Sequence, residues 1–380
     1  MTEEIGVGMV GHAFMGAVHS HAWRSVHRFF DVPLTPRLAA LGGRDAVRAK
    51  EAADKYGWAA VETDWRALVA RDDVQLVDVC TPGDTHAEIA LAALAAGKHV
   101  LCEKPLANSV AEAEEMAAAA SAAAERGVRS MVAFNYRRVP ALALARRLVA
   151  EGRIGDVRHV RAVYLQDWLS DPESPMTWRL RREKAGSGAL GDLGAHIVDA
   201  AQFVTGGLIT GVSATTETFV KERPDGAGGR DEVTVDDAAV FLARFDSGAL
   251  GTFEATRFAL GRKNAMRLEV NGSRGSLAFD FESMNELSVF SSDDGPESGF
   301  RRVLVTEADH PYVGAWWPPG HLLGYEHTFT HEVADLLTAI SEGVDPAPSF
   351  ADGLRVQRVL AAVEDSAGHG SAWTTIGDTR

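Results

Sequence analysis

The chain has 380 residues, of which 46% are hydrophobic and 24% charged, a composition typical of a folded globular protein. This length exceeds that of one ordinary domain and predicts two. The formal net charge of −15 argues against a nucleic acid or an anionic membrane as a partner, because both are polyanions. No apolar run approaches the roughly 20 residues that a membrane-spanning helix needs. The acidic start, MTEEIGVGMVG, predicts no secretory signal.

The chain contains two cysteines, Cys80 and Cys102, and each ends a short apolar run. Such a pair favours two free core thiols in a reducing compartment over a disulfide. We therefore expect a cytoplasmic protein.

The first ~130 residues alternate short apolar runs with helical stretches, a pattern typical of a parallel sheet covered by helices. Two capping boxes, Thr85-x-x-Glu88 and Ser109-x-x-Glu112, predict helix starts. The predicted strands of this region are Ile5–Val10, Arg37–Gly42, Leu76–Cys80, His99–Glu103 and Ser130–Phe134.

From about residue 157 the pattern changes to long alternating runs joined by short turns. Alternation with a period of two predicts a large, mostly antiparallel sheet. A helix is predicted over Gly191–Val204, a mobile loop over 223–233, and a second helix over roughly 325–341. A last helix starts at the cap Ser349-x-x-Asp352. The alternating runs are VRHVRAVYLQDW, ITGVSATTETFV, DAAVFLARF, ALGTFEATRF, AMRLEVNG and SLAFD.

A glycine-rich turn, Gly11-His-Ala-Phe-Met-Gly16, directly follows the first predicted strand. In a dinucleotide-binding turn the first glycine makes the tight turn and the third allows close packing of helix on strand. Ala13 replaces the usual middle glycine. Many glycine-rich turns bind nothing, but this position between a strand and a helix favours a pyrophosphate held at the helix N-terminus.

The end of the second strand usually carries an acid for the adenosine ribose of NAD. Here Gly43 stands at that position and Arg44 follows. Arg44 could pair with the 2′-phosphate of NADP or stack on the adenine, and Asp45 could bind the ribose or cap a helix. The sequence leaves NAD and NADP open.

Lys104, in Glu103-Lys-Pro105, and the pair Asp192 and His196, in GALGDLGAHIVD, are the candidate chemical groups. An alcohol releases a hydride only when its hydroxyl proton is removed, and histidine is the natural base near neutral pH. Asp192 and His196 share one face of the predicted helix. Alone, each residue has a structural alternative: a helix-start carboxylate, a surface lysine and a core histidine.

These motifs, with Thr81-Pro82 and His86 after a predicted strand, resemble those of the glucose–fructose oxidoreductase/inositol dehydrogenase family. The resemblance covers almost the whole chain, and VAFNYRR, YLQDW and HPY…GYEHT are most similar to sugar dehydrogenases within that family. It implies an α/β protein, with an N-terminal Rossmann dinucleotide-binding domain and a C-terminal α+β domain whose large antiparallel sheet has one open face.

The resemblance also implies residue roles. Lys104 would hydrogen-bond the reacting hydroxyl, His196 would remove its proton, and Asp192 would orient the histidine or the substrate. The Lys104–Pro105 bond is expected to be cis. The residues expected to bind NAD or NADP are Gly11, Ala13, Phe14, Met15, Arg44, Thr81, Pro82, His86, Glu103 and Lys104.

A sugar pocket needs flat aromatic rings and polar forks, because sugars present both apolar faces and hydroxyls. Each candidate for this pocket could instead be a core or rim residue. The expected substrate-binding residues are Tyr136, Gln166, Trp178, Arg179, Tyr325 and His327.

The predicted domains are a dinucleotide-binding domain over 1–135, a substrate-binding and oligomerisation domain over 136–345, and a C-terminal helix over 346–380 that packs back on the first. No metal is expected, because His19 and His21 fit a helix and no cysteine has zinc spacing. The open sheet face predicts a homo-oligomer, and the resemblance implies a homodimer or a homotetramer.

The predicted function is reversible oxidation of a ring hydroxyl of a sugar, anhydrosugar or cyclitol to a ketone by NAD or NADP. One alternative is a redox-silent regulator that binds a dinucleotide. Another is redox-assisted elimination of a glycoside on a tightly bound cofactor. Lys104, Asp192 and His196 together favour the dehydrogenase.

Overall fold

The computed structural model describes residues 3–377. The chain forms two compact units. Unit 1 combines the residues up to Arg138 with Leu323–Leu354, and unit 2 combines Val139–Leu322 with the residues from Arg355 onward.

The N-terminal segment of unit 1 alternates strands and helices, as predicted. Its elements are β1 (Glu3–Val10), α1 (Phe14–Phe29), β2 (Leu34–Gly42), α2 (Ala46–Tyr56), β3 (Ala60–Glu62), α3 (Trp65–Val69), β4 (Leu76–Val79), α4 (His86–Ala95), β5 (His99–Cys102), α5 (Val110–Ala124) and β6 (Ser130–Val132).

The segment that forms most of unit 2 is rich in strands. Its elements are α6 (Pro140–Ala150), β7 (Val157–Leu165), α7 (Arg182–Ala185), α8 (Ala195–Thr205), β8 (Ile209–Glu217), β9 (Glu222–Pro224), β10 (Arg230–Glu232), β11 (Ala238–Phe245), β12 (Leu250–Thr256), β13 (Ala265–Gly272), β14 (Gly275–Asp280), β15 (Glu286–Ser291) and β16 (Arg301–Leu304). The remaining elements are α9 (Tyr325–Glu342), α10 (Phe350–Gly368) and β17 (Thr374–Thr375).

The sheet of unit 1 is parallel, with strand order β3-β2-β1-β4-β5-β6. This order defines a Rossmann fold, in which ligands bind at the carboxyl ends of the strands where the order reverses, here between β1 and β4. The five predicted strands are confirmed, and β3 is an addition. Strand β3 has three residues, which is too short for an alternating pattern of apolar residues to be recognised in the sequence.

The two predicted helix starts in this segment differ, because Ser109 caps α5 while Thr85 does not cap α4. The Ser109 hydroxyl accepts a hydrogen bond from the Glu112 N–H at 3.2 Å and donates one to the Glu112 carboxylate at 2.9 Å. The Thr85 hydroxyl instead donates to Thr81 Oγ1 at 2.7 Å. The box predicted at Thr85 is therefore wrong, because its hydroxyl is used within the turn that precedes α4.

Helix α9 belongs to unit 1, far along the chain from the N-terminal segment. Its apolar face joins the same core cluster as α1. Phe329 and Val333 lie there with Trp23 and Val26. A segment distant in sequence thus completes the core beneath the Rossmann sheet, and local patterning could not show this.

Unit 2 contains a nine-stranded sheet with the order β16-β15-β14-β13-β7-β12-β11-β8-β17. All neighbours are antiparallel except β7 and β12, which confirms the mostly antiparallel prediction. Helices α6 and α8 pack on this sheet. The predicted loop over 223–233 contains the hairpin β9–β10.

The other face of this sheet is partly apolar. Val240, Leu242 and Leu250 are about half-exposed there, at 48%, 57% and 47%. On β13 this face is polar, because the residues that alternate with the buried Met266, Leu268 and Val270 are Arg267, Glu269 and Asn271.

The helix predicted over Gly191–Val204 begins with a π-helical turn, Leu190–Gly194, before α8 continues as an α-helix. Turns of this kind are rare and occur often at functional sites. None of the described helices is both long enough and apolar enough to cross a membrane.

Candidate active site

The glycine-rich turn between β1 and α1 forms a cradle that only glycine can build. Gly11 has a φ of 105°, and a Cβ there would lie 2.5 Å from the carbonyl oxygen of Cys80. A Cβ on Gly16 would lie 2.3 Å from the carbonyl oxygen of Gly11. Strand and helix therefore approach more closely than any side chain would allow.

The N-terminus of α1 is suited to an anion. Its N-cap is Ala13, whose methyl group cannot cap the helix. Ala13 and Phe14 are exposed, and Met15 is partly buried. Backbone N–H groups at such a helix start favour a phosphate. The turn and helix start fit the pyrophosphate of a dinucleotide.

At the end of β2, no acid could occupy position 43 without displacing a neighbour. A Cβ on Gly43 would lie 2.6 Å from Cδ2 of His12, so the imidazole fills that space. Arg44 is exposed. The Asp45 carboxylate accepts two backbone N–H groups of α2 at 3.1 Å, which confirms the helix-cap interpretation of this residue.

The Glu-Lys-Pro turn follows β5 at the carboxyl edge of the sheet. The Lys104–Pro105 bond is cis, as predicted. Glu103 is buried, at 5% exposure, and Lys104 is partly buried. The Lys104 backbone N–H donates to Glu103 Oε2 at 3.0 Å, and Glu103 Oε1 lies 3.0 Å from His19 Nε2.

His19, on α1, connects this turn to β4. Its Nδ1 lies 2.9 Å and 3.1 Å from the two carboxylate oxygens of Asp78. The same carboxylate accepts the Trp23 indole N–H at 2.7 Å and the Cys80 thiol at 3.4 Å. Burial works against a charged imidazole, but the charge of Asp78 prevails and raises the pKa of His19 well above 6.5. The His19 ring thus lies between two carboxylates, an arrangement that favours its charged form.

His86, expected to bind the cofactor, is 2% exposed and connects two turns. Its Nε2 lies 2.9 Å from the carbonyl oxygen of Thr81, and its Nδ1 lies 3.0 Å from that of Pro105. His86 thus ties the Thr81-Pro82 turn to the Glu-Lys-Pro turn.

His19, Asp78 and Cys80 also form a candidate metal-ligand set, because their ligand atoms lie within 4.8 Å of one another. A metal ligand needs a free lone pair. Both His19 nitrogens already face carboxylates. Burial also raises the pKa of the Cys80 thiol well above its usual value, which disfavours the thiolate. The arrangement therefore favours a hydrogen-bonded ion cluster.

Glu332, on α9, adds a buried acid to unit 1. It is fully buried, and its Oε1 lies 3.6 Å from Nη1 of the buried Arg138. Burial raises the pKa of Glu332 to about 8. The neighbouring His331 is neutral, because burial lowers its pKa to about 3, and its Nδ1 lies 2.9 Å from the carbonyl oxygen of Arg138.

Unit 1 brings together residues expected at the cofactor and residues expected at the substrate. The Tyr325 ring stacks on Phe14 at 6.2 Å and meets Tyr136 edge-on at 6.4 Å. Tyr136 itself is buried, at 5% exposure. His327 Nδ1 accepts the Gly324 N–H at 3.0 Å, so this residue helps to cap α9.

In unit 2, Asp192 lies in the π-helical turn and faces a buried arginine. Its Oδ2 is 4.0 Å from Nη1 of Arg257, which is 1% exposed. Arg257 Nη2 donates to the carbonyl oxygen of Asp236 at 2.9 Å. The guanidinium thus places a fixed positive charge beside Asp192.

Asp236 shapes the loop that leads into this turn. Its carboxylate accepts the N–H groups of Gly188 at 2.7 Å and Leu190 at 2.8 Å. A Cβ on Gly188 would lie 1.8 Å from the carbonyl oxygen of Asp236. Gly188 is therefore required because the chain itself approaches this position closely.

His196, at 7% exposure, meets the Tyr164 ring edge-on at 5.8 Å. The Tyr164 hydroxyl donates to Asn264 Oδ1 at 2.7 Å, and Gln166 Nε2 donates to the same oxygen at 2.7 Å. Trp168 Nε1 donates to Gln166 Oε1 at 2.9 Å. The amide of Gln166 is therefore fixed at both ends.

Trp178 and Arg179 lie in a short 3₁₀ turn, Trp178–Leu180, where the Arg179 guanidinium lies 4.5 Å from the Trp178 ring centroid. Such cation–π pairs occur at ligand sites and on ordinary surfaces alike.

Sequence reasoning missed the residues that hold these groups in place. A charged residue within an alternating strand pattern was the available signal for Arg257, and a charged residue inside the apolar strand LVDV was the signal for Asp78. The missed residues are His19 as a charged partner, Asp78, Tyr164, Asp236, Arg257, Asn264 and Glu332.

The Rossmann sheet, the glycine cradle and the uncapped helix start define a dinucleotide-binding protein. Two family models match the chain. "Oxidoreductase family, NAD-binding Rossmann fold" covers residues 5–134, and "GFO/IDH/MocA C-terminal domain" covers 142–278. The chain belongs to this family of glucose–fructose oxidoreductase and inositol dehydrogenase relatives, and it is an oxidoreductase with an NAD-binding Rossmann fold.

Curated relatives match nearly the full chain. Levoglucosan dehydrogenase of Pseudarthrobacter phenanthrenivorans is 41% identical over 381 residues, with 96% of each chain covered. Inositol 2-dehydrogenase of Rhizobium meliloti is 28% identical over 350 residues, covering 91% of this chain and 92% of that protein.

Solved structures have the same fold. An oxidoreductase domain protein from Kribbella flavida is 68% identical, with a TM-score of 0.97 and 100% of each chain covered. A levoglucosan dehydrogenase in complex with NADH is 40% identical, with a TM-score of 0.95, covering 99% of this chain and 100% of that one.

Proposed function

We propose that this protein oxidises a ring hydroxyl of a sugar, an anhydrosugar or a cyclitol reversibly to a ketone, with NAD or NADP as the oxidant. The observation that carries the proposal is the 41% identity to levoglucosan dehydrogenase over 96% of both chains. The inositol 2-dehydrogenase relative supports the wider substrate class of cyclic polyols.

The proposed chemistry divides the loss of two hydrogens between cofactor and protein. When bound, the nicotinamide accepts the hydride from the substrate carbon. Lys104 hydrogen-bonds the reacting hydroxyl, and His196 accepts its proton. Histidine suits this step because its ordinary pKa lies near neutral pH.

Asp192 orients His196 or the substrate in this scheme. The guanidinium of Arg257, 4.0 Å away, supports the role because a fixed positive charge favours the ionised carboxylate. A carboxylate held by its own turn and by a buried cation can keep its orientation through the reaction.

The dinucleotide lies on the Gly11 turn in this proposal, with its pyrophosphate at the start of α1. Gly11, Ala13, Phe14 and Met15 form this part of the site. Further contacts come from Arg44, Thr81, Pro82, Glu103 and Lys104, and His86 contributes by holding two of those turns.

Among the expected sugar contacts, Gln166 has the best-supported geometry, because its amide is fixed by Asn264 and Trp168. The stacked pair Phe14 and Tyr325 offers flat aromatic surface. The other proposed contacts are Tyr136, Trp178, Arg179 and His327.

We propose that both cofactors bind, since Gly43 presents no acid to repel a 2′-phosphate and Arg44 is exposed.

A homodimer or homotetramer through the open sheet face is proposed from the exposed Val240, Leu242 and Leu250. A cytoplasmic location is proposed from the two cysteines, which are both free.

The test is a panel of monosaccharides, anhydrosugars and inositols assayed with NAD and with NADP by the absorbance of the reduced nicotinamide. Reduction of free cofactor by one or more of these substrates is the expected result. Cofactor binding without turnover on the whole panel would support the redox-silent regulator instead.

A further inference from the structure

We infer that His19 is a positioning residue, which sets the Glu-Lys-Pro turn, and hence Lys104, from beneath the active site. The inference rests on the proposed role of Lys104 in proton chemistry. His19 itself is 1% exposed and lies inside unit 1, so it acts on the reaction only through other residues.

His19 and Lys104 are connected through the carboxylate of Glu103. His19 Nε2 lies 3.0 Å from Glu103 Oε1, and the other oxygen of that carboxylate accepts the Lys104 backbone N–H at 3.0 Å. Glu103 therefore has one oxygen on the turn and one on His19. If the imidazole is lost, the carboxylate is free to rotate away from the Lys104 amide.

The His19 ring is itself fixed by Asp78 and Phe329. Its Nδ1 faces both oxygens of Asp78, and that carboxylate is further held by the Trp23 indole at 2.7 Å. The ring also packs against Phe329, with 5.3 Å between ring centroids. The imidazole can rotate only by breaking charge-assisted bonds at both ends.

The charge of the buried Glu103 carboxylate also needs a partner. Glu103 is 5% exposed, and a buried carboxylate that lacks a partner is costly. The His19 ring, whose Nε2 lies 3.0 Å from Glu103 Oε1, supplies that partner. Loss of the ring would leave this end of the buried carboxylate without a partner, so the turn that the other end holds should shift.

The experiment compares wild type with His19→Gln, Glu103→Asp and the double variant, and uses His21→Gln as the control. Glutamine at position 19 cannot reach and neutralise both carboxylates. Aspartate at 103 keeps the charge but is one methylene shorter, so it cannot hold both partners. His21 is an exposed histidine on the same helix, so His21→Gln makes the same chemical change outside the cluster.

Two readouts are taken, and only one needs turnover. Hydrogen exchange of the Lys104 amide, followed by mass spectrometry of the peptide around Pro105, should accelerate about tenfold or more in His19→Gln and in Glu103→Asp, because the acceptor is released. With cofactor-titrated protein, kcat should fall by about 10–100-fold while KM changes little, the loss expected for a displaced catalytic group. The double variant should be little worse than the worse single one.

The proposal is overturned if Lys104 exchange in both single variants matches that of His21→Gln. It is also overturned if kcat per cofactor-binding protein is unchanged, since His19 would then support only the fold. Glu103→Asp decides the question if His19→Gln does not fold. A wild-type protein inactive on the whole sugar panel would refute the proposed function, while the exchange measurement would still decide whether His19 sets the turn.

Discussion

The two units fix their chemical groups in different ways. In unit 1 the backbone positions most of these groups, because Gly11 and Gly16 create the cradle and the Glu-Lys-Pro turn follows directly from a strand. In unit 2 side chains position them. Asp192 and His196 lie against Arg257 and Tyr164, which come from strands far away in the sequence.

Because of this difference, we expect the two units to tolerate different substitutions. The cradle of unit 1 depends on glycines and strand ends, and the buried side chains of Asp78, His19 and Glu103 form a series of contacts that ends at the Glu-Lys-Pro turn. The turn of unit 2 depends on single polar side chains such as Asp236, whose one carboxylate accepts two backbone N–H groups of the turn. Replacing one such side chain should therefore have a large local effect.

The largest effect is expected when one chemical group is removed from either unit. Lys104→Ala and His196→Ala should each lower turnover by about 10²–10⁴-fold, the usual contribution of a placed proton-transfer group. Steady-state kinetics on the best substrate gives the number. Cofactor binding should survive in His196→Ala.

His369, whose side chain is 71% exposed, provides the matched control, and His369→Ala should be as active as wild type. Wild-type turnover in His196→Ala would remove that residue from the mechanism.

The next effect tests how unit 2 holds its turn. Asp236→Ala removes two charged hydrogen bonds to the loop before Asp192 and should destabilise the protein by about 3 kcal/mol. Urea denaturation measures the change. Asp246, on an exposed turn with one backbone hydrogen bond at 3.1 Å, is the comparison, and Asp246→Ala should cost clearly less. Equal losses would show that Asp236 has no special role.

A smaller effect tests the adenosine end of unit 1. If Arg44 pairs with a 2′-phosphate, Arg44→Ala should weaken NADP binding by roughly 1.5–3 kcal/mol, the range for hydrogen bonds to charged groups. NAD binding should barely change. Titration calorimetry with both cofactors separates the two interpretations, because equal losses would mean that Arg44 only stacks on the adenine.

The remaining effect, a change in the pH dependence of stability, concerns the buried acid of unit 1. The pKa of Glu332 is raised from its ordinary value of 4.5 to about 8 by burial, with Arg138 opposing and His19, Glu103 and Asp78 also nearby. Its contribution to stability is present below pH 4.5 and is lost as the pH rises through about 8. Glu332→Gln should remove this loss, which amounts to at most about 1.4 kcal/mol per pH unit for one proton.

The measurement is the free energy of unfolding of wild type and Glu332→Gln from pH 5 to pH 8. Glu326→Gln, an exposed change on the same helix, is the control. Parallel curves for wild type and Glu332→Gln would contradict the raised pKa.

Much of unit 1 could be predicted from sequence because its signals are local. The turn at Gly11 and the cis bond at Lys104 are contained in short contiguous motifs. The ion cluster was missed because His19 and Glu103 are 84 residues apart, so no local pattern pairs them. The π-helical turn was missed for a related reason, since its shape is set by Asp236, more than 40 residues onward.

The most direct test of the proposed function is the stoichiometry of the reaction on the best substrate of the panel. One reduced nicotinamide should appear for each ring ketone formed, and the ketone should be converted back when reduced cofactor is supplied. Release of a product with no net reduction of the cofactor would contradict the account and establish redox-assisted elimination in its place.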